Sequence, residues 1–278
     1  MILEGTPVAK KIKDEVRDYM LENNLDKSKY LAVIQVGDNQ ASTTYVNNKI
    51  RACDYCNIGS EYIHLPENTL EEELLSYIYD LNYDTNCIGI LVQLPLPKHI
   101  DEFNIAQAIE PEKDVDCFNP YNVGLLHLQR PTFLPCTPAG IIEILDYYNI
   151  PIEGKDVAIV GRSNIVGRPL AELLEQRNAT VTLCHSNTKV LEEHTTTSDI
   201  TVFAVGKPKY FNIYDVWNNE KHVVIDVGIN RDENGKLCGD FDSEGYFGNY
   251  TPVPKGVGVM TIAMLMKNCK ISLRNLLK

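Results

Sequence analysis

Apolar positions along the chain alternate between two rhythms. Leu31-Ala32-Val33-Ile34-Gln35-Val36 is a near-continuous apolar run that stops at Gly37-Asp38 and predicts a buried strand; Ile12 to Leu21, ahead of it, has the spacing of an amphipathic helix. The pattern predicts a second helix from Ser42 to Cys56 closed by Gly59, then a strand from Glu61 to Leu65. A third helix carries Leu70, Leu74, Ile78 and Leu81 and is started by a Thr69 and Glu72 capping box. Ile88 to Val92 is the next strand. The prolines of Gln93-Leu94-Pro95-Leu96-Pro97 forbid further sheet pairing and expose its carboxyl end, where open α/β sheets place ligands.

The run from Glu110 to Tyr121 is polar and proline-punctuated and predicts a domain boundary. A helix from Pro138 to Tyr148 follows. Strands are then expected at Val157 to Val160, Thr180 to Leu183, Ile200 to Val205 and His222 to Val227, an even spacing that marks βαβ units and a parallel sheet. A last helix starts at Thr261 and reaches Met266 or beyond. The fold class is α/β with two domains, which 278 residues at 44% hydrophobic content can fill.

Composition narrows the partners. A net charge of -12 argues against a nucleic-acid backbone. Cys53 and Cys56 form a C-x-x-C pair inside a helical pattern with no second pair, which favours core thiols over a metal or redox site. The N-terminus shows no signal-peptide pattern and no apolar run approaches the roughly 20 residues of a membrane span, so a cytoplasmic protein is expected.

The chain pivots on Val157 to Pro169. A strand breaks on Gly161, and a helix restarts at Gly167, whose lack of a side chain lets a pyrophosphate approach the helix N-terminus. Ser163 stands where a dinucleotide loop has its middle glycine, and a two-glycine corner is also common as plain structure. An NAD site needs an acidic residue about 20 positions on. Here the next strand ends in Cys184-His185-Ser186, with Lys189 after it and Arg162 in the loop. Hydroxyl and cation in place of carboxylate favour the 2′-phosphate of NADP, although His-Ser after a strand is also an ordinary turn. Asp226-Val227-Gly228-Ile229 and Thr251 to Gly258 are rigid loops that either line a cleft or simply connect.

On the second helix, plotted at about 100° per residue, Val46, Ile50 and Cys53 share one face, and Lys49 with Tyr45 lies at its margin. A lysine turned inward loses hydration, which lowers its pKa and opens general-base work. On the helix alone the pattern favours a snorkelling lysine whose stem covers apolar surface. Gln93 offers an amide donor and acceptor to a ligand or a loop cap. Asp116, in Pro111-Glu112-Lys113-Asp114-Val115-Asp116, belongs to a solvated turn unless it faces a ring edge with paired N–H groups.

Together these stretches resemble the bifunctional methylenetetrahydrofolate dehydrogenase/methenyltetrahydrofolate cyclohydrolase family nearly end to end. The carriers are Tyr45-Val46-Asn47-Asn48-Lys49, Gln93 to Pro97, Lys113 to Asp116, Pro120-Tyr121-Asn122-Val123-Gly124, Pro135-Cys136-Thr137-Pro138, Gly161 to Pro169, and Pro252 to Gly258. The resemblance implies a folate-binding domain over 1–117 and a Rossmann-like NADP domain over 118–278, with a linking helix, a closing C-terminal helix, a cleft between the domains, and a homodimer. It implies Lys49 as cyclohydrolase acid/base, Tyr45 on the folate rings, Gln93 holding Lys49 and Asp116 on the pterin, with Val92, Leu94, Pro254 and Gly256 also at the substrate. The cofactor set is Gly161, Arg162, Ser163, Val166, Gly167, His185, Ser186 and Ile229; no metal is implied.

Four positions depart from the family pattern: Cys117 and Lys255 replace glycines, Asn119 a histidine and Val259 a proline. A short-chain dehydrogenase, which also pairs Tyr-x-x-x-Lys with a dinucleotide fold, has the opposite chain order. A non-catalytic binder has no need of a half-buried amine. A monofunctional dehydrogenase is the remaining alternative.

Overall fold

Strands form where the apolar runs predict them, and they assemble into two separate parallel sheets. The computed structural model describes residues 1–277, apart from the Ala41 side chain. The chain divides into a three-strand unit, Lys10–Leu134 with Ile262 to the C-terminus, and a five-strand unit, Met1–Ala9 with Pro135–Thr261. Among the described residues no helix is long and apolar enough to cross a membrane.

Helix α1 (Gly5–Glu22) enters the three-strand unit at Lys10. It is followed by β1 (Tyr30–Val36), α2 (Gln40–Tyr55), β2 (Gly59–Leu65), α3 (Glu71–Tyr83), β3 (Cys87–Val92), α4 (Glu102–Ala108) and α5 (Pro120–His127). The strands are parallel in the order β2-β1-β3. β3 is buried throughout and β1 from Leu31 onward, which is why both read as apolar runs. Leu74 and Ile78 of α3 and Ile105 of α4 join Ile34 and Ile90 in one core cluster.

Two helix ends differ from expectation. α2 is closed by Asn57 in the left-handed conformation (φ 59°), and Gly59 instead opens β2. α3 begins after Leu70 with no side-chain cap, and Leu70 is exposed; the carboxylates of Glu71, Glu72 and Glu73 in its first turn favour the helix dipole in place of a Thr69 capping box.

The Glu110 to Tyr121 run is tied down by buried charge. Lys113 Nζ donates to the carbonyls of Leu81, Asn82 and Asp84, each at 2.7 Å. The buried Asp114 carboxylate accepts from the Phe118 and Asn119 N–H groups and from Asn122 Nδ2. Backbone partners supply here what solvent supplies to an ordinary charged turn. Both termini cross the division between the two units. Asn268 of the last helix, α9 (Val257–Leu276), donates to the Val115 and Leu134 carbonyls, and Ser272 to that of Ile88. At the other end Leu3 N–H donates to the Tyr250 carbonyl, and Tyr250 N–H to that of Met1.

The five-strand unit contains α6 (Cys136–Tyr147), β4 (Asp156–Val160), α7 (Gly167–Glu175), β5 (Thr180–Cys184), α8 (Leu191–Thr195), β6 (Ile200–Phe203), β7 (Val223–Asp226), the antiparallel pair β8 (Asn230–Arg231) and β9 (Leu237–Cys238), β10 (Asn249–Tyr250) and the start of α9. Its parallel sheet has the order β10-β7-β6-β4-β5. The chain leaves β4 for β5 on one side and returns to β6 on the other, so the topological switch point lies at the carboxyl ends of β4 and β6.

His222, 1% exposed, shares hydrogen bonds with Thr201 Oγ1 (3.0 Å) and Tyr246 Oη (2.7 Å). Burial pushes its pKa from 6.5 down to about 4. Between those values the unfolded chain binds a proton that the folded one refuses, so stability falls as pH drops through the window, by ~3 kcal/mol at its lower end. The stability gap between the parent protein and His222→Gln is expected to narrow accordingly. Urea unfolding at neutral pH and near the lower end of the window, followed by Trp217 fluorescence, checks this; a pH-independent gap refutes it.

Candidate active site

Lys49 projects from α2 and is 7% exposed, so it does not snorkel. Its Nζ donates to Gln93 Oε1 at 2.9 Å. Gln93 immediately follows β3, its own N–H still bonded to the Ile34 carbonyl. The Gln93 amide is oriented from the other end, because Nε2 donates to the Leu94 carbonyl at 2.7 Å. The amide oxygen is thereby committed to the lysine. Tyr45, one turn before Lys49, is half-buried, and burial raises its phenol above the ordinary value, so the hydroxyl stays protonated at neutral pH.

Val92 is buried at the end of β3, Leu94 is partly buried, and the Leu94–Pro95 peptide is cis. Asp116, in the same run as Lys113, is partly exposed. The six residues Tyr45, Lys49, Val92, Gln93, Leu94 and Asp116 thus belong to one unit. Pro254 and Gly256, grouped with them by sequence, belong to the five-strand unit instead.

The glycine loop joins β4 to α7. Gly161 has φ 126°, and a Cβ there would overlap the Ala204 carbonyl oxygen. A Cβ on Gly167 would overlap the carbonyl oxygen of Gly161 and lie 2.7 Å from its carbon. Bare backbone therefore packs on bare backbone where a helix of nine residues begins, the cradle that a pyrophosphate requires. Ser163, in place of a third glycine, ties the loop together: its Oγ accepts from the Val166 N–H at 3.1 Å and its carbonyl from that of Arg168. Arg162 and Ser163 are exposed and Val166 partly so.

After β5, His185 N–H donates to Thr188 Oγ1, and His185 Nδ1 accepts from the Asn187 N–H, a turn that presents Ser186 to solvent. Ile229 is 46% exposed. The buried Asp226 carboxylate accepts from the N–H groups of Gly228, Asp240 and Phe241, while burial pushes its pKa up to about 7. The two residues that replace family glycines both keep positive φ, 62° at Cys117 and 82° at Lys255. Cys53 and Cys56 are fully buried, and burial pushes both thiols up to about 12.

Sequence reasoning missed Lys113 and Asp114 as buried groups and passed over Asp240 entirely. An aspartate just past a short polar hairpin carries no local signal; its partners lie up to 35 positions away.

Two family models match the chain. The tetrahydrofolate dehydrogenase/cyclohydrolase catalytic domain covers residues 3–116, and the NAD(P)-binding domain of the same name covers residues 135–276. The chain is 51% identical over 273 residues to the bifunctional protein FolD of Lachnoclostridium phytofermentans, spanning 97% of this chain and 96% of that one. The crystal structure of the bifunctional FolD methylenetetrahydrofolate dehydrogenase/cyclohydrolase from Campylobacter jejuni matches with a TM-score of 0.94 at 46% identity, over 99% of both chains. The Trypanosoma brucei FolD structure, complexed with NADP and an inhibitor, matches with a TM-score of 0.91 at 35% identity, over 99% of this chain and 98% of that one.

Proposed function

Because the chain belongs to the tetrahydrofolate dehydrogenase/cyclohydrolase family, we propose that its residues divide two consecutive reactions on one substrate. The protein oxidises 5,10-methylenetetrahydrofolate to 5,10-methenyltetrahydrofolate with NADP, and hydrolyses that product to 10-formyltetrahydrofolate. In this reading the three-strand unit holds the folate and the five-strand unit holds NADP. The observation that carries the residue assignment is the buried Lys49 amine on the anchored Gln93 amide.

Hydrolysis needs proton handling twice. Water adds to the cationic one-carbon bridge and loses a proton, leaving a hydroxyl on that carbon; its bond to N5 then breaks as N5 gains a proton and the hydroxyl proton leaves to solvent, so that the formyl group remains on N10. Lys49 Nζ takes the first proton and returns it to N5. Gln93 Oε1 keeps the amine aimed, the Tyr45 ring packs on the folate rings, and the Asp116 carboxylate accepts paired N–H groups of the pterin. Val92, Leu94, Pro254 and Gly256 complete the substrate contacts.

NADP, when bound, supplies the hydride acceptor for the first reaction. The chain contributes orientation, since the folate nitrogen lone pairs stabilise the cation that hydride loss leaves. Gly161, Val166 and Gly167 admit the pyrophosphate; Arg162, Ser163, His185 and Ser186 face the 2′-phosphate; Ile229 borders the nicotinamide. A homodimer in the cytoplasm belongs to the same reading.

A spectrophotometric assay with 5,10-methylenetetrahydrofolate and each cofactor tests the whole. Arg162→Ala is expected to shrink the NADP over NAD preference in kcat/KM by about 10-fold or more, the loss of one charge-assisted contact to phosphate. An unchanged ratio removes Arg162 from cofactor choice.

A further inference from the structure

The Asp240 side chain is completely buried, yet three of the four groups it holds lie in the loop after β6 and the fourth, Asn230, opens the two-residue strand β8. Its Oδ2 accepts the N–H groups of Val205 (2.6 Å) and Gly206 (3.0 Å). Its Oδ1 accepts the Lys207 N–H and Asn230 Nδ2, both at 2.8 Å. Four donors therefore converge on one carboxylate, three of them successive backbone groups.

One of the two segments, the loop after β6, lies at the switch point of the sheet, and the other follows the neighbouring strand β7. Residues 205–207 follow β6, and the preceding Ala204 abuts Gly161, its carbonyl filling the space a Cβ would take. Asn230 follows Ile229 at the carboxyl end of β7. Gly206 and Lys207 are exposed, so no apolar packing fixes their backbone from outside. Asp240 is fixed in turn: its own N–H donates to Asp226 at 2.9 Å, and a Cβ on Gly228 would lie 2.6 Å from its carboxyl carbon.

We propose that Asp240 is a positioning residue for NADP, a buried anion that holds the loops after β6 and β7 in the cofactor-receiving conformation before the cofactor arrives. The inference rests on the reading of the five-strand unit as the NADP unit. Fixing the loops in advance removes an ordering cost from binding, because apparent affinity falls in proportion to the fraction of competent loops. In Asp240→Asn one end of the side chain becomes a donor, and whichever way the amide turns, two of the four N–H groups lose their acceptor.

The test is NADP titration by calorimetry, well below the melting temperature, with dehydrogenase kinetics alongside. Asp240→Asn is expected to raise the NADP Kd and KM about tenfold while kcat at saturation stays within about threefold, and to speed amide exchange at 205–207. Adding Asn230→Asp gives the new donor an acceptor and is expected to recover most of the affinity. A merely structural role predicts a lower melting temperature with Kd unchanged, and that result overturns the proposal. If Asp240→Asn does not fold, Asn230→Ala removes one donor from a half-buried site; a Kd rise of about threefold supports the proposal and an unchanged Kd overturns it. If the parent protein itself binds no NADP, the reading of the five-strand unit fails and the inference with it.

Discussion

Lys49→Met is expected to lower hydrolysis of preformed 5,10-methenyltetrahydrofolate by about 10³-fold, within the range that a positioned acid/base contributes. Methionine nearly matches the lysine stem in a site that is 7% exposed, so the fold should survive the loss of a hydrogen bond to Gln93. Oxidation of the methylene substrate by NADP should stay within about tenfold, because hydride transfer asks for alignment and not for a proton carrier. Methenyl product should then accumulate in the variant. Lys49→Arg separates charge from chemistry: it keeps a cation but cannot give up its proton, so hydrolysis should stay lost. Normal cyclohydrolase turnover in either variant would remove Lys49 from the mechanism.

Gly167→Ala is expected to do the reverse. The added methyl would overlap the Gly161 carbonyl oxygen and come within 3.0 Å of Arg162 Cα. All of these neighbours are backbone, so no side chain can swing aside, and α7 has to back away from the loop. Overpacking of this kind costs about 1–3 kcal/mol of stability. The larger effect falls on the cofactor, whose pyrophosphate depends on that close approach. Dehydrogenase kcat/KM for NADP should fall by about 100-fold or more, while hydrolysis of preformed methenyl substrate, which uses none of these atoms, stays within a few-fold. Wild-type NADP kinetics in the variant would show that the glycine corner is structural alone.

The sequence by itself determined the strands and placed candidate site residues at their ends. β1, β3, β4 and β6 are buried on both faces, and a strand with no polar face must be written in apolar residues whatever its neighbours. The glycine corner was legible because close backbone contact forbids a side chain. The family motifs singled out Lys49 and its neighbours as candidates because chemistry restricts residue type.

Only tertiary structure decided where charge is buried. Lys113, Asp114 and Asp240 look like solvated loop residues because their identity is that of loop residues; what differs is a set of carbonyls or N–H groups supplied from distant positions. It likewise decided between a snorkelling and an inward Lys49, since helical spacing places a side chain at a margin without saying what covers it. Unit membership was also beyond the sequence. Hydrogen bonds from Asn268 and Ser272 return the C-terminal helix to the three-strand unit, and those of Leu3 and Tyr250 assign the N-terminus to the other. Local pattern encodes what a segment is; which partners it meets depends on how the rest of the chain brings remote backbone to it.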